Sequence, residues 1–383
     1  MLPGPRLWGL ALLGSTSIIP ILIGPIITGV LVDYGGFDDR AAGLTAGYGA
    51  IGSVSVALIC ALSMHRLPLR KLAFAGVCLA VIGNLGAAVF YQWHDVFYAF
   101  RIVTALGDGA IYAAVMSAFA REAHSERCYG MFMMLQFGLA ALGLWGLPTF
   151  FPEMNASEMF LGFFALNLGA FLLVSLLPAN AADIAGMTIR AREWRLLLSV
   201  PALAGLAALF FFESSNIGTD AYMERIAVLA GYGDEKIGTV LGTASLLGVP
   251  GAFAIMFVSG RFGHALPVLS GVALGVVSLM GLMQAQSYSV FFVWTCVHSV
   301  SWAFTTPYIQ SILANMDPGG AVVTAGGIAS GAGAGAGPSA MAMLVSADDY
   351  SGVLTISLAA YGLAAVAIVI VSRRMSAVQL RGA

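Results

Sequence analysis

Residues 179–195 read ANAADIAGMTIRAREWR, the one long polar connection in a chain of 383 residues. It stands near the midpoint, and apolar runs fill the sequence on both sides of it. A helix rises about 1.5 Å per residue, so about 20 residues cross a hydrocarbon core of about 30 Å. Cutting the runs at charge clusters and Pro/Gly turns predicts spans at 7–32, 42–63, 72–91, 97–119, 130–151 and 159–178 before the connection. Spans at 196–223, 237–259, 264–284, 290–313, 320–345 and 352–372 follow it. The organisation expected is a six-helix bundle over 1–178, a linker over 179–195 and a second six-helix bundle over 196–383.

Composition agrees. Hydrophobic residues make up 59% and charged residues 9%, against about a quarter charged in soluble proteins. The runs are continuous rather than alternating in segments of about ten, which excludes a membrane barrel and leaves an all-α integral membrane fold. A formal charge of −2 argues against nucleic acid as a partner. Cys60, Cys78, Cys128 and Cys296 lie far apart with no clustered histidines, so neither a metal site nor a cofactor is expected. The first apolar run is too long for a signal-peptide core and is read as a retained span.

Of the 17 basic residues, only Arg40, Arg101, Arg225 and Lys236 fall on the side opposite the termini, where carboxylates from Asp33 to Asp349 collect. By the positive-inside rule both termini are expected to be cytoplasmic, in the cell (inner or plasma) membrane. The halves also match weakly and in order. GGFDDRAAG at 35–43 parallels AGYGDEKIG at 230–238, Arg66 parallels Arg261, and Pro148 parallels Pro338, as two copies of one six-span unit would give.

Twelve spans, this repeat, a cytoplasmic middle loop and basic turns after spans 2 and 8 resemble the major facilitator superfamily over essentially the whole chain. The family's loop pattern, approximately G-x-x-x-D-R-x-G-R-R, is similar to ALSMHRLPLRK at 61–71 and FVSGRFGHAL at 257–266. Arg66, Arg70, Lys71, Arg261 and Gly263 fit. Met64 or His65 and Gly260 stand where the family has an acidic residue. The resemblance implies gating contacts for Arg66, Arg70 and Arg261, and a secondary transporter working by alternating access.

Ionisable groups inside spans cost about 2.5–3.5 kcal/mol on insertion scales, so each is a functional candidate. Asp108 lies about 16 Å into span 4 and shares a polar stripe with Arg101, Thr104 and Tyr112; it reads either as a proton carrier beneath a substrate-binding arginine or as half of a bracing Arg101–Asp108 pair. In FFFESSNIGTDAYMERI at 210–226, Glu213, Asn216 and Asp220 share a face, and Ser214, Ser215 and Gly218 are expected to break the helix where it lines a cavity. Glu213 is read as a coupling group, and Asp220 as a coupling group or, with Glu224 and Arg225, a solvated rim. His298 in span 10 titrates in the physiological range when unperturbed, with Trp302 beside it. Gln136 completes the expected substrate contacts.

The glycines from Gly326 to Gly337 have no preceding strand and no following Lys-Ser/Thr, so they make no nucleotide loop. They are read as a face along which helices approach closely. No nucleophile–base pair shares a face, so no enzyme is expected. The reading is a proton-coupled carrier of a small organic solute, monomeric in the bilayer, with Asp108, Glu213, Asp220 and His298 handling protons and Arg101, Tyr112, Gln136, Asn216 and Trp302 the solute. A multidrug/proton antiporter and a non-transporting receptor on the same scaffold are the alternatives.

Overall fold

The computed structural model describes residues 4–63, 67–120, 122, 125–179, 194–253, 265–316, 321–346 and 349–382. Its elements are α1 (Pro5–Leu22), α2 (Gly24–Asp33), α3 (Asp39–Ser63), α4 (Leu69–Phe90), α5 (His94–Phe119), α6 (Ser125–Phe150), α7 (Ala156–Val174), α8 (Trp194–Leu197), α9 (Val200–Leu229), α10 (Asp234–Phe253), α11 (Ala265–Met283), α12 (Tyr288–Met316), α13 (Ala321–Ala342) and α14 (Ser351–Gly382). Among the described residues nine helices, all but α2, α8, α10, α12 and α13, are long and apolar enough to cross a membrane. The last three are long too, with 20, 29 and 22 residues. With them the spans among the described residues number twelve, and the protein is an all-α integral membrane protein.

The first expected span is two helices rather than one. Pro20 lacks an N–H, and α1 ends at Leu22, with the Ile23 N–H donating to Ile19 O at 3.0 Å. Gly24-Pro25 then opens α2, proline being tolerated in a first turn where its missing donor would have been unpaired anyway. The expected break in span 7 is absent. α9 runs unbroken over 30 residues because the Ser214 hydroxyl donates back to Phe210 O (2.8 Å) and that of Ser215 reaches across to Ser357 O (2.9 Å), so neither competes with the helical ladder. α14 also runs on to Gly382, beyond the expected end at 372.

Helix pairing repeats between the two halves. In the first, α1 packs on α6 and α7, α3 on α5, and α4 on α5 and α7. In the second, α9 packs on α13 and α14, α10 on α12, and α11 on α12 and α14. Each pairing in one half has its counterpart six spans later. The halves meet through α3 against α13, α6 against α10 and α2 against α9.

Local chemistry fixes several ends. α7 opens on a capping box: the Asn155 side chain accepts from the Glu158 N–H (2.9 Å) while the Glu158 carboxylate accepts from the Asn155 N–H (3.0 Å). At the other end of α7 the carbonyls of Ser175 and Leu177, left over by the helix, accept from the Arg70 guanidinium at 2.8–3.0 Å. Arg70 thus ties α4 to α7 within one half, and the other two expected gating residues, Arg66 and Arg261, lie outside the described residues. Because Arg70 is solvent-exposed, Arg70→Ala is expected to lower stability by only about 1 kcal/mol, measurable as a small drop in melting temperature in detergent.

Candidate functional site

α9 and α12 set the centre of the molecule. On α9, Glu213, Asn216, Ile217 and Asp220 recur at steps of three and four, hence on one face. On α12 the same spacing aligns Thr295, His298, Ser299, Trp302 and Thr306. The two faces meet at a pocket of about 40 Å³, closed from the first half by Leu22 of α1 and by Phe137 and Leu144 of α6. Asn216, Asp220, His298 and Trp302 all line it, so α9 and α12 bring four of the sequence-predicted residues together. Asp220 is a pocket residue and not part of a solvated rim.

Glu213 sits directly behind this lining, 3% exposed. Its carboxylate accepts from Trp302 Nε1 (3.1 Å) and from the Thr306 hydroxyl (3.0 Å), one donor to each oxygen. Asn216 donates to Phe212 O (2.7 Å) and accepts from the Tyr361 hydroxyl (2.8 Å). Phe137 meets the Trp302 ring edge-on at 5.9 Å. His298 Nδ1 lies 3.3 Å from the Ser278 hydroxyl, which gives its single proton to Gly275 O at 2.6 Å. In the neutral tautomer that carries its proton on Nδ1, the Ser278 oxygen accepts from it and Nε2 keeps its lone pair. Nε2 is buried without a partner.

The remaining sequence-predicted residues lie elsewhere in the first half. Arg101, 7% exposed, donates to Asn84 Oδ1 (3.3 Å) and its guanidinium sits 5.2 Å from the centre of the Phe160 ring. Asp108 is equally buried, and its Oδ1 has no hydrogen-bond partner. The two form no ion pair among the described residues, because a seven-residue step on a helix separates them by about 10 Å along the axis. Gln136 donates to Met133 Sδ (2.9 Å) and leaves Oε1 unpaired. Tyr112 is 41% exposed with its ring edge-on to Phe132 at 6.1 Å.

Sequence reading missed the joint at the end opposite the termini. Arg225 forks onto two carboxylates, Asp33 of the first half at 2.5–2.7 Å and its own neighbour Glu224 at 2.6–2.7 Å. The Arg225 side chain is 5% exposed, that of Glu224 10% and that of Asp33 44%. Beside it Asp39 accepts from the Tyr350 hydroxyl (2.6 Å), and the Asp39 carbonyl accepts from the Tyr222 hydroxyl (3.3 Å). The signal available was Arg225 itself, one of four basic residues on a side crowded with carboxylates.

From this joint the contact between α3 and α13 runs toward the termini through Gly43 with Ala342, Gly47 with Ser339 and Gly335 with Ala50. It thins at Gly331, where a Cβ would stand 3.7 Å from Val54. The halves are thus clasped at one end. A larger groove of about 610 Å³ runs along α6 and α10 past Met134, Gly138, Trp145, Gly242 and Leu246, but it holds no charged residue, and the chemistry is in the smaller pocket.

Solved structures of similar architecture span almost the entire chain. A D-xylose-proton symporter superposes with a TM-score of 0.73 at 13% identity, covering 94% of this chain and 95% of its own. The nucleoside transporter NupG gives 0.72 at 13%, covering 96% and 98%. A human organic anion transporter gives 0.66 at 14%, covering 96% and 100%. No protein-family model and no curated protein matches the sequence. The chain shares the fold of these transporter structures, and at these identities the likeness speaks for the fold alone.

Proposed function

We propose that the protein is a proton-coupled secondary transporter of a small organic solute, its halves 1–178 and 196–383 rocking about the central pocket. The observation that carries this reading is a group of carboxylates inside the spans, Asp220 on the pocket, Glu213 buried behind it and Asp108 buried in the first half, in halves clasped through Arg225 at the end opposite the termini. A buried carboxylate without a cation is costly, and taking up a proton removes that cost, so occupancy by protons and the position of the halves are linked. Arg6, Arg70, Arg373 and Arg374 stand at the termini's end and Asp33, Glu224 and Asp234 at the other, which by the positive-inside rule puts the termini in the cytoplasm. The conformation is then closed to the outside.

The test is proton movement in proteoliposomes, followed with an internal pH-sensitive dye while gradients of amines, organic acids, sugars and nucleosides are imposed in turn. A solute that drives a pH change in the wild type, with the change abolished in Glu213→Gln and in Asp108→Asn, is the expected result. Solute movement that continues with an unchanged proton signal in both variants would remove the coupling assignment. The sign of the pH change separates symport from exchange.

A further inference from the structure

We propose that the pocket between α9 and α12 seats the protonated amino group of an organic amine, with Asp220 as counter-charge and His298 Nε2 accepting one of its N–H groups. This deepens the transport reading by naming the substrate class, and it rests on that reading for its purpose.

Charge decides first. Among the described residues Asp220 is the one charged residue lining the pocket, with Glu213 held just behind by Trp302 and Thr306. The nearby cations are committed elsewhere: Arg101 to Asn84 and the Phe160 ring, Arg225 to Asp33 and Glu224. Asp220 forms no ion pair among the described residues. A carboxylate or phosphate entering this pocket would meet the Asp220 carboxylate with no cation among the described lining residues to offset it, whereas a cation completes the set.

Hydrogen bonding and size narrow the class. In the Nδ1–H tautomer His298 Nε2 is an acceptor, in a residue 3% exposed, with no hydrogen-bond partner among the described residues; leaving such a group unpaired costs about 1–3 kcal/mol. The indole N–H of Trp302 is taken by Glu213, so towards the pocket that residue presents its ring, which favours a cation. A water needs about 10–15 Å³ of cavity, so about 40 Å³ takes a primary ammonium head, whose N–H groups a trimethylated head lacks.

The probe is 2-phenylethylamine, compared with its N,N,N-trimethyl derivative and with phenylacetate, binding to the detergent-purified full chain followed by calorimetry. Expected are saturable binding of the primary amine, none of phenylacetate, and weaker binding of the trimethyl form. Charge-assisted hydrogen bonds are worth about 1.5–3 kcal/mol, so Asp220→Asn should weaken the amine by about 10- to 100-fold. Amine binding unchanged in Asp220→Asn overturns the proposal, as does phenylacetate competing with the amine, or no amine binding at all. Should Asp220→Asn fail to fold, the three-ligand series on the wild type still decides. The two readings fail differently. Proton flux driven by sugars or acids but not amines removes the substrate class alone; amine binding without any solute-driven proton flux removes the coupled-transport reading and leaves the seat.

Discussion

Arg225→Met is expected to open the joint at the end opposite the termini, destabilising the clasped conformation by about 3–5 kcal/mol, the usual result of breaking a buried ion pair from one side. At about 1.4 kcal/mol per tenfold, that moves the balance of conformers by about two to three and a half orders of magnitude. Most of the effect comes from Glu224, whose side chain is 10% exposed and packs against Gly29, while Asp33 at 44% is screened by water. Asp33→Asn should therefore shift the balance far less, and Glu224→Gln combined with Arg225→Met should recover part of the loss by removing the stranded charge. Distances between spin labels at the exposed positions Arg40 and Glu235 read this directly. A distribution unchanged by Arg225→Met would show that the joint is held by packing instead.

Gly337→Val should be the most damaging single change in the second half. Gly333 and Gly337 lie four apart on α13, over the carbonyl oxygens of Phe210 and Ser214, also four apart on α9. A Cβ at either glycine would fall well inside van der Waals contact with backbone, which cannot rotate away as a side chain would. The two helices must then separate, breaking the closest contact of this half over several turns; overpacking costs about 1–3 kcal/mol and occasionally more, and here the obstacle is rigid. The expected outcome is loss of the monodisperse protein in detergent, or a fall in melting temperature well beyond that of Gly327→Val on the same helix, where a Cβ meets nothing within 4 Å. Equal effects at the two positions would mean that helix propensity, not the α9–α13 approach, controls stability.

How far the site was legible depended on the residue. Glu213, Asn216, Asp220, His298 and Trp302 could be singled out because polar groups in apolar runs are conspicuous and helical spacing assigns them to faces. Arg101 and Tyr112 were conspicuous for the same reason, yet Arg101 turns to Asn84 and Phe160 and Tyr112 to Phe132, because spacing along one helix says nothing about which neighbour the face meets. The break expected in span 7 failed similarly: Ser214 and Ser215 weaken a helix in isolation, but their hydroxyls find carbonyls at 2.8–2.9 Å in the packed protein.

What the amino-acid sequence by itself determined is the bilayer-crossing architecture: twelve apolar spans, a repeat about the polar connection and the side on which basic residues gather. These follow from chain length per span and from the cost of polar groups in hydrocarbon, both local quantities. Only the tertiary structure decided that Arg225, nearly 200 residues from Asp33, clasps the halves at one end, and that Asp220 lines the central pocket with Arg101 turned away. Each of these depends on which helix faces meet across the membrane, and that is fixed by packing between segments distant in the chain.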